Sequence, residues 1–149
     1  YWNLKKKTRE VFKDGWYCTN DMFTFDADGY YEYQGRADDM LKISGQWVSP
    51  AEIEEQVLKN KAVSEAAVVG VSNEDGLVRL ALFLVAPEAK GKTEELEKEL
   101  IDLLTANLSI YKCPRRMYFL DEMPLTATGK LQRFALRQMA ENQQASVTA

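Results

Sequence analysis

The sequence predicts an α+β fold, in which a small mixed sheet carries flanking helices and a β-hairpin precedes it. Two runs, SEAAVVGVS and VRLALFLVAP, supply the sheet, because their apolar and β-branched residues favour extended backbone. TEELEKELIDLLTANL supplies a helix, because its apolar residues recur at intervals of three and four. The resulting order ββ, ββ, α, ββ, α, β, α is typical of α+β proteins.

The first strands are predicted around a short acidic turn. In MFTFDADGYYEYQG, apolar and polar residues alternate on both sides of the turn Asp26-Ala27-Asp28-Gly29. Asp and Gly tolerate the positive φ angles of tight turns, so this stretch predicts a β-hairpin. The following GRADDMLKISGQWVSP has a short apolar run flanked by glycines, and it predicts a connector that enters a second hairpin.

A helix is predicted directly after that connector. Ser49 is a typical N-cap residue, Pro50 suits the first helical turn, and Glu52 can return a hydrogen bond to the cap backbone. The helix should cover about residues 51–60. Its apolar positions occur at helical spacing and are assigned to the core: Ile53, Val57 and Leu58.

The second half of the chain continues the alternation of strands and helices. The polar turn NEDG joins the two strand-rich runs. A last strand at about 116–120 and a last helix at about 133–141 complete the order, and the polar tail ENQQASVTA is expected to fray. The helix predicted for TEELEKELIDLLTANL has one apolar face, formed by Leu96, Leu100, Ile101, Leu103, Leu104 and Leu108.

Composition and charge narrow the class of protein. With 149 residues, 46% apolar and 28% charged, the chain fits one soluble domain, or one small domain plus part of another. The net charge of -4 argues against a nucleic-acid binder, and the cluster Lys5 to Lys7 is interpreted as a solvated helix or loop face. No run approaches the length of about 20 apolar residues that spans a bilayer, so no membrane partner is expected.

The cysteine and histidine counts exclude several kinds of site. Cys18 and Cys113 are too few and too far apart for a disulfide scaffold or a zinc site, and the chain has no histidine. Metal ligands are therefore not predicted, and neither is a Ser-His or Cys-His nucleophile. A reducing compartment, the cytoplasm, is the simplest expectation. Any chemistry would rest on Lys, Arg, Asp and Glu.

The segment PLTATGK contains a lysine in a predicted exposed turn. It is not a P-loop, because a P-loop needs a glycine five residues before the Gly-Lys pair and Pro124 stands there. Taken with YCTND, GRADDMLKISG and EIEE, however, PLTATGKLQR completes an ordered set of motifs. This set resembles the adenylate-forming superfamily of acyl-CoA synthetases, adenylation domains and luciferases. DMLKISGQWVSPAEIE and TATGKLQRFALR make the benzoate-CoA ligases the most similar group.

The resemblance covers nearly the whole chain and implies a division into domains. Residues 1–36 would be the end of the large N-terminal AMP-binding domain and 37–39 the hinge. Residues 40–142 would form the small C-terminal domain and 143–149 a frayed tail. The chain begins at Tyr1 without an initiator methionine, which also indicates a fragment.

The resemblance implies a reaction in two steps. An aromatic carboxylate attacks the α-phosphate of ATP, with Mg²⁺, to give an acyl-adenylate and release pyrophosphate, and the thiol of CoA then displaces AMP to give the thioester. The small domain rotates between the steps and works with the missing N-terminal domain. Two alternatives stay open: an adenylation domain that loads a carrier protein, and a noncatalytic module that binds a partner.

For the adenylation step the resemblance implies four residues. Asp21 matches the aspartate that holds the ATP ribose, and Arg36 matches an arginine at the nucleotide. Asp38 matches the hinge residue. Lys130 matches the lysine that bridges the carboxylate and the α-phosphate, so its acetylation would block this step and a lysine acetyltransferase or deacetylase is a candidate partner.

For the CoA step the resemblance implies a second set of residues. Lys42 matches a lysine used in this half-reaction, and Gly45 a glycine beside which the pantetheine arm passes. Trp47 would line the same tunnel, with a buried core position as its alternative. In YKCPRR, Tyr111, Lys112 and Arg115 would contact the nucleotide end of CoA.

Overall fold

The computed structural model describes residues 1–72 and 76–147 of the chain. It forms two compact units, Tyr1–Met40 and Leu41–Ala149. Of the predicted NEDG turn, residues 73–75 lie outside the described residues. Each unit is described by itself below.

The first unit contains one helix and two hairpins. The predicted β-hairpin is confirmed as the antiparallel pair β3 and β4. Helix α1 and the short hairpin before β3 were not predicted, because no apolar stripe marks them and the helix buries none of its residues. The elements are α1 (Lys5–Val11), β1 (Phe12–Lys13), β2 (Trp16–Tyr17), β3 (Asp21–Phe25) and β4 (Tyr31–Arg36).

The acidic turn of the β3–β4 hairpin is held by the side chain of Asp26. Its Oδ1 accepts hydrogen bonds from the backbone N–H of Asp28 at 3.0 Å and of Tyr30 at 2.8 Å. Gly29 has φ +89°, a conformation that glycine adopts without steric cost. The turn residues identified in the sequence therefore set the geometry of this hairpin.

The second unit follows the predicted order of strands and helices. Its elements are β5 (Leu41–Ile43), β6 (Gln46–Val48), α2 (Pro50–Val57), β7 (Glu65–Ser72), β8 (Val78–Val85), α3 (Thr93–Asn107), β9 (Arg116–Leu120) and α4 (Arg133–Val147). Short 3₁₀ helices occupy Pro87–Ala89 and Ile110–Lys112. Strand β7 pairs antiparallel with β8, and β8 pairs parallel with β9, so the predicted small mixed sheet is confirmed.

Strand β8 lies at the centre of this sheet and separates two hydrophobic cores. Successive side chains of a strand point to opposite faces. Leu80, Leu82 and Leu84 belong to the core that also contains residues of β5, β6, α2 and α3. Ala81, Phe83 and Val85 belong to the other core, which contains Leu136 and Ala140 of α4. The β5–β6 hairpin and α4 therefore cover opposite faces of one sheet.

Two predicted core residues are wrong. Leu58 is 46% exposed, because α2 ends at Val57 instead of continuing to about residue 60, and Leu58 caps the end of the helix. Ile101 is 47% exposed. It follows buried Leu100 directly, and one step along a helix turns a side chain by about 100° away from its neighbour.

The predicted start of α2 and end of α4 also need correction. Ser49 is the N-cap residue of α2, but its side chain makes no cap hydrogen bond, and Glu52 binds Lys112 instead of the cap backbone. The last helix extends to Val147, through residues 143–147 of the tail expected to fray, because this segment has no Gly or Pro to stop it. Residues 148 and 149 lie outside the described residues.

Candidate functional site

In the first unit, Arg36 brings two of the predicted residues together. Asp21 and Arg36 are directly opposite each other on β3 and β4, with Arg36 Nη1 3.6 Å from Asp21 Oδ1. The same guanidinium donates from Nε to Asp38 Oδ1 at 2.9 Å and from Nη2 to Asp38 Oδ2 at 3.3 Å. Arg36 thus connects the predicted ribose-binding carboxylate to the predicted hinge residue.

The turn before β3 orients Asp21. Asn20 has φ +62°, and its carbonyl accepts a hydrogen bond from Ala37 N–H at 2.7 Å. Thr19 Oγ1 accepts from Asp21 N–H at 3.2 Å. Glycine adopts this left-handed conformation most readily, and asparagine adopts it more readily than most other residues. Asn20 can therefore form the turn that holds Asp21 at the start of β3.

Charge pairing favours the ionised forms of Arg36 and Asp38. The hydrogen bond from Arg36 lowers the pKa of Asp38, and a backbone hydrogen bond lowers it further. The same side-chain hydrogen bond raises the pKa of Arg36. Because both groups are exposed to solvent, the pair orients the guanidinium more than it stabilises the fold.

In the second unit, the β5–β6 hairpin carries Lys42, Gly45 and Trp47. Ser44 and Gly45 form its two-residue turn, with φ +49° and +84°, as a type I′ turn requires. Lys42 and Trp47 are cross-strand partners, and Lys42 Nζ lies 5.9 Å from the centroid of the Trp47 ring. Trp47 is 63% exposed, so a buried core position for it is wrong.

A cleft next to this hairpin contains two residues predicted for CoA. The cleft has a volume of about 190 Å³, and its lining includes Ser44, Tyr111, Cys113 and Arg115. Partial burial raises the pKa of the Cys113 thiol. We call this the Tyr111 cleft; it brings Tyr111 and Arg115 beside the turn that contains Gly45.

Lys112 does not line the Tyr111 cleft. Its Nζ donates to both carboxylate oxygens of Glu52 in α2, at 2.7 and 2.8 Å, and its side chain is only 20% exposed. The lysine that was predicted to contact CoA therefore has a carboxylate partner within this unit.

Lys130 lies in a turn that is closed by hydrogen bonds. Thr126 N–H donates to Lys130 O at 2.8 Å, and Lys130 N–H donates to Thr126 Oγ1 at 3.0 Å. Gly129 supplies φ +78°. The lysine is exposed, and no carboxylate pairs with its ammonium within residues 1–72 and 76–147. The turn leads directly into α4, so Lys130 and Lys42 are carried by elements that cover opposite faces of the sheet.

An ion pair that the sequence did not predict lies next to the Lys130 turn, where α4 begins. Arg133, the first residue of α4, donates from Nη1 to Glu54 Oε1 at 2.7 Å. The two residues are 79 positions apart, and no spacing rule links positions so distant. Glu54 belongs to the motif EIEE and Arg133 to the motif GKLQR, but only the tertiary fold brings the two side chains together.

The described part of the chain contains neither a metal-binding cluster nor a membrane-spanning helix. Among residues 1–72 and 76–147 no group of three or more His, Cys, Asp or Glu side chains could hold a metal ion. Within the same residues, no helix has the length and apolar content needed to cross a bilayer.

Comparisons with known proteins agree with these observations. The chain is 55% identical over 139 residues to a 3-hydroxybenzoate–CoA ligase from Aromatoleum sp. (strain CIB), covering 93% of this chain and 27% of that protein. It is 44% identical over 137 residues to a benzoate–CoA ligase from Thauera aromatica, covering 92% and 26%. The crystal structure of an anthranilate CoA ligase in complex with anthranoyl-AMP superposes with a TM-score of 0.86 at 41% identity, covering 94% and 27%.

The chain thus spans about a quarter of the length of the curated relatives it matches. The sequence profile of the AMP-binding enzyme C-terminal domain matches residues 52–130, from the first turn of α2 to Lys130. This match covers more than half of the chain, and the chain belongs to the AMP-binding enzyme C-terminal domain family.

Proposed function

We propose that this chain is the C-terminal part of an ATP-dependent aryl-CoA ligase, which adenylates an aromatic carboxylate and then transfers the acyl group to CoA. The observation that carries the proposal is the position of two exposed lysines, Lys130 and Lys42, on elements that cover opposite faces of one sheet. Rotation of the small domain about residues 37–39 would present first one and then the other to the same reacting group. The names of the relatives support the aromatic acid.

In the first half-reaction, Lys130 is the catalytic residue. Its ammonium lies between the substrate carboxylate and the α-phosphate and offsets the repulsion between two anions as charge builds on phosphorus. It fits this role because it is exposed and has no carboxylate partner in the described part of the chain. A unit charge pair at about 4 Å contributes about 4 kcal/mol at an effective dielectric near 20, before desolvation is subtracted.

Residues of the first unit bind the nucleotide in this proposal. Asp21 accepts hydrogen bonds from the two ribose hydroxyls, since a carboxylate can accept from a diol. Arg36 offers the rigid fork that suits phosphate and ribose oxygens. Asp38 is the hinge residue, and its hydrogen bonds to Arg36 link the hinge to the nucleotide-binding guanidinium.

In the second half-reaction, the β5–β6 hairpin faces the thiol substrate. Lys42 acts in this step, the pantetheine arm passes Gly45, and Trp47 lines its path. Tyr111 and Arg115 in the Tyr111 cleft contact the nucleotide end of CoA. Lys112 would contact CoA only if its ammonium left Glu52, so we expect its contact with CoA to be the weakest of the three.

Magnesium and the compartment complete the proposal. Mg²⁺ accompanies ATP by analogy with the family, and we assign no ligand for it in this chain. The enzyme would work in the cytoplasm, where two cysteines without a disulfide are expected.

Pyrophosphate release by the complete ligase tests the function. It would be measured with ATP and Mg²⁺ on a panel of benzoate, 3-hydroxybenzoate, anthranilate and an aliphatic acid, each with and without CoA. We expect strong release with an aromatic acid, and an aryl-CoA thioester when CoA is present. Release with the aliphatic acid alone would keep the reaction and refute the aromatic assignment.

Two further outcomes decide between this proposal and its alternatives. Release of pyrophosphate without thioester, together with loading of an acyl group onto a carrier protein, would refute the CoA step. No release with any acid would refute the ligase assignment and favour a module that binds a partner.

Replacing Lys42 with alanine in the complete ligase should slow the CoA step by about tenfold and leave adenylate formation within about twofold. The lysine would be absent from the first half-reaction, because its hairpin lies on the other face of the sheet. Thioester formation from supplied acyl-adenylate and CoA measures the second step directly. Equal slowing of both steps would contradict the alternation of faces.

A further inference from the structure

The side chains of Arg133 and Glu54 form a clamp on the edge strand β7. Arg133 Nη1 donates to Glu54 Oε1 at 2.7 Å and to the carbonyl of Val68 at 2.9 Å, and Nη2 donates to Glu54 Oε2 at 3.2 Å. Glu54 Oε1 also accepts from Val68 N–H at 2.7 Å. Both backbone groups of Val68, in a strand paired on one side only, are thereby satisfied.

The clamp is partly buried and geometrically specific. The side chains of Arg133 and Glu54 are 21% and 15% exposed. Two parallel N–H···O bonds between a guanidinium and a carboxylate fix relative orientation as well as distance. Breaking one partner leaves the other charged and poorly solvated, which costs more than loss of an exposed pair. The clamp therefore fixes the first residue of α4 against α2 and β7.

The Lys130 turn is attached directly to this fixed point. Gln132, the residue before Arg133, donates from its backbone N–H to Pro124 O at 2.8 Å and from Nε2 to Leu125 O at 2.7 Å. Leu131 forms a β-bridge with Leu125 and packs on the core beneath α4. Both strands of the turn are thus tied to the residue that precedes the clamp.

We infer that Arg133 and Glu54 are positioning residues for Lys130, holding its turn at a fixed place on the small domain. The inference rests on the proposed function, because it assigns the clamp to the adenylation step. In this role neither residue contacts a substrate, and both act through the Lys130 turn. The CoA step uses the β5–β6 hairpin on the other face of the sheet, so it is insensitive to small movements of the Lys130 turn.

The test uses Arg133→Gln, Arg133→Lys and Glu54→Gln in the complete ligase. Ile53→Val is the matched control, because it removes one methylene group from a fully buried residue next to Glu54 and leaves the clamp intact. For each variant, adenylate formation without CoA and thioester formation from supplied acyl-adenylate are measured separately. Hydrogen–deuterium exchange of the peptide 124–132 is measured on the same samples.

For Arg133→Gln we expect kcat of adenylation to fall by about tenfold to a hundredfold, since misplacement of a catalytic group by about 1 Å can cost that much. KM for ATP and the thioester step should stay within about twofold. Arg133→Lys, which keeps the charge but loses the fork, should be intermediate. Exchange in the turn should be about tenfold faster in Arg133→Gln and unchanged in Ile53→Val.

Each outcome separates the clamp from a merely structural role. Equal slowing of both half-reactions, or the same profile in Ile53→Val, would mean that the variants only destabilise the domain and would overturn the inference. Unchanged exchange in the turn would overturn it as well. If the wild-type ligase adenylates no acid, the proposed function fails, and the exchange measurement alone still decides whether the clamp holds the turn.

Discussion

Replacing Lys130 with alanine in the complete ligase is expected to slow adenylate formation by roughly a hundredfold or more, as loss of a charge partner in a transition state commonly does. In the proposed mechanism, the Lys130 ammonium offsets repulsion between the substrate carboxylate and the α-phosphate. Its turn is closed by hydrogen bonds between the Lys130 backbone and Thr126, and neither bond involves the Lys130 side chain, so the substitution should not unfold the turn. Conversion of supplied acyl-adenylate to thioester should remain within about twofold of wild type.

The measurement is single-turnover pyrophosphate release, with the thioester step assayed in parallel. Lys90→Ala is a suitable control, because Lys90 is also an exposed lysine of the second unit and is paired with Asp121 at 3.7 Å. It should leave both steps unchanged. If Lys130→Ala slowed both half-reactions equally, the assignment of Lys130 to adenylation alone would be wrong.

Acetylation of Lys130 is expected to reduce adenylation as strongly as the alanine substitution. The modification removes the positive charge while the side chain keeps its length. Lys130 is exposed at the end of its turn, where an acetyltransferase could reach it. We propose such an enzyme, and a deacetylase that reverses its action, as partners of the ligase.

Acetylated ligase would be compared with the same sample after enzymatic deacetylation, with mass spectrometry to measure occupancy at residue 130. Adenylation should be lost on acetylation and restored on deacetylation, while the thioester step persists in both. A Lys130→Arg variant treated in the same way should show no further loss, because it has no amine to acetylate at this position. Normal adenylation at full occupancy would refute both the regulation and the catalytic role of Lys130.

Much of the second unit was predictable, since its elements depend on local patterns. Strand β9 was predicted at its observed bounds, β7 within one residue of its bounds and β8 within two, because continuous apolar runs mark buried strands. The errors at Leu58 and Ile101 have different origins. Leu58 lies just beyond the end of α2, a boundary that periodicity does not fix, whereas Ile101 lies inside α3 at the edge of its buried stripe.

The candidate site was predictable only in part. Lys130, Lys42 and Asp21 were identified because short motifs around them resemble those of the family, and the structure shows which element carries each one. The pairs Glu52–Lys112 and Glu54–Arg133 depend on which helix packs on which face of the sheet. Neither pair has a local signal, because contacts over such separations are decided by tertiary packing. Glu52 pairs with Lys112 in place of the hydrogen bond that was predicted between Glu52 and the cap backbone of α2.

The φ angle of Gly45 has a consequence for how activity losses at this position should be interpreted. An added Cβ meets nothing within 4 Å in this chain, but any L-residue must adopt φ +84° to keep the turn. That strain is present whether or not CoA is bound, so it lowers the free energy of unfolding of the free enzyme. If the pantetheine arm passes Gly45 as proposed, a side chain that obstructs it would leave the free energy of unfolding unchanged and raise KM for CoA. Plotting one quantity against the other across a series of substitutions therefore separates backbone strain from steric hindrance, which a single activity measurement would combine.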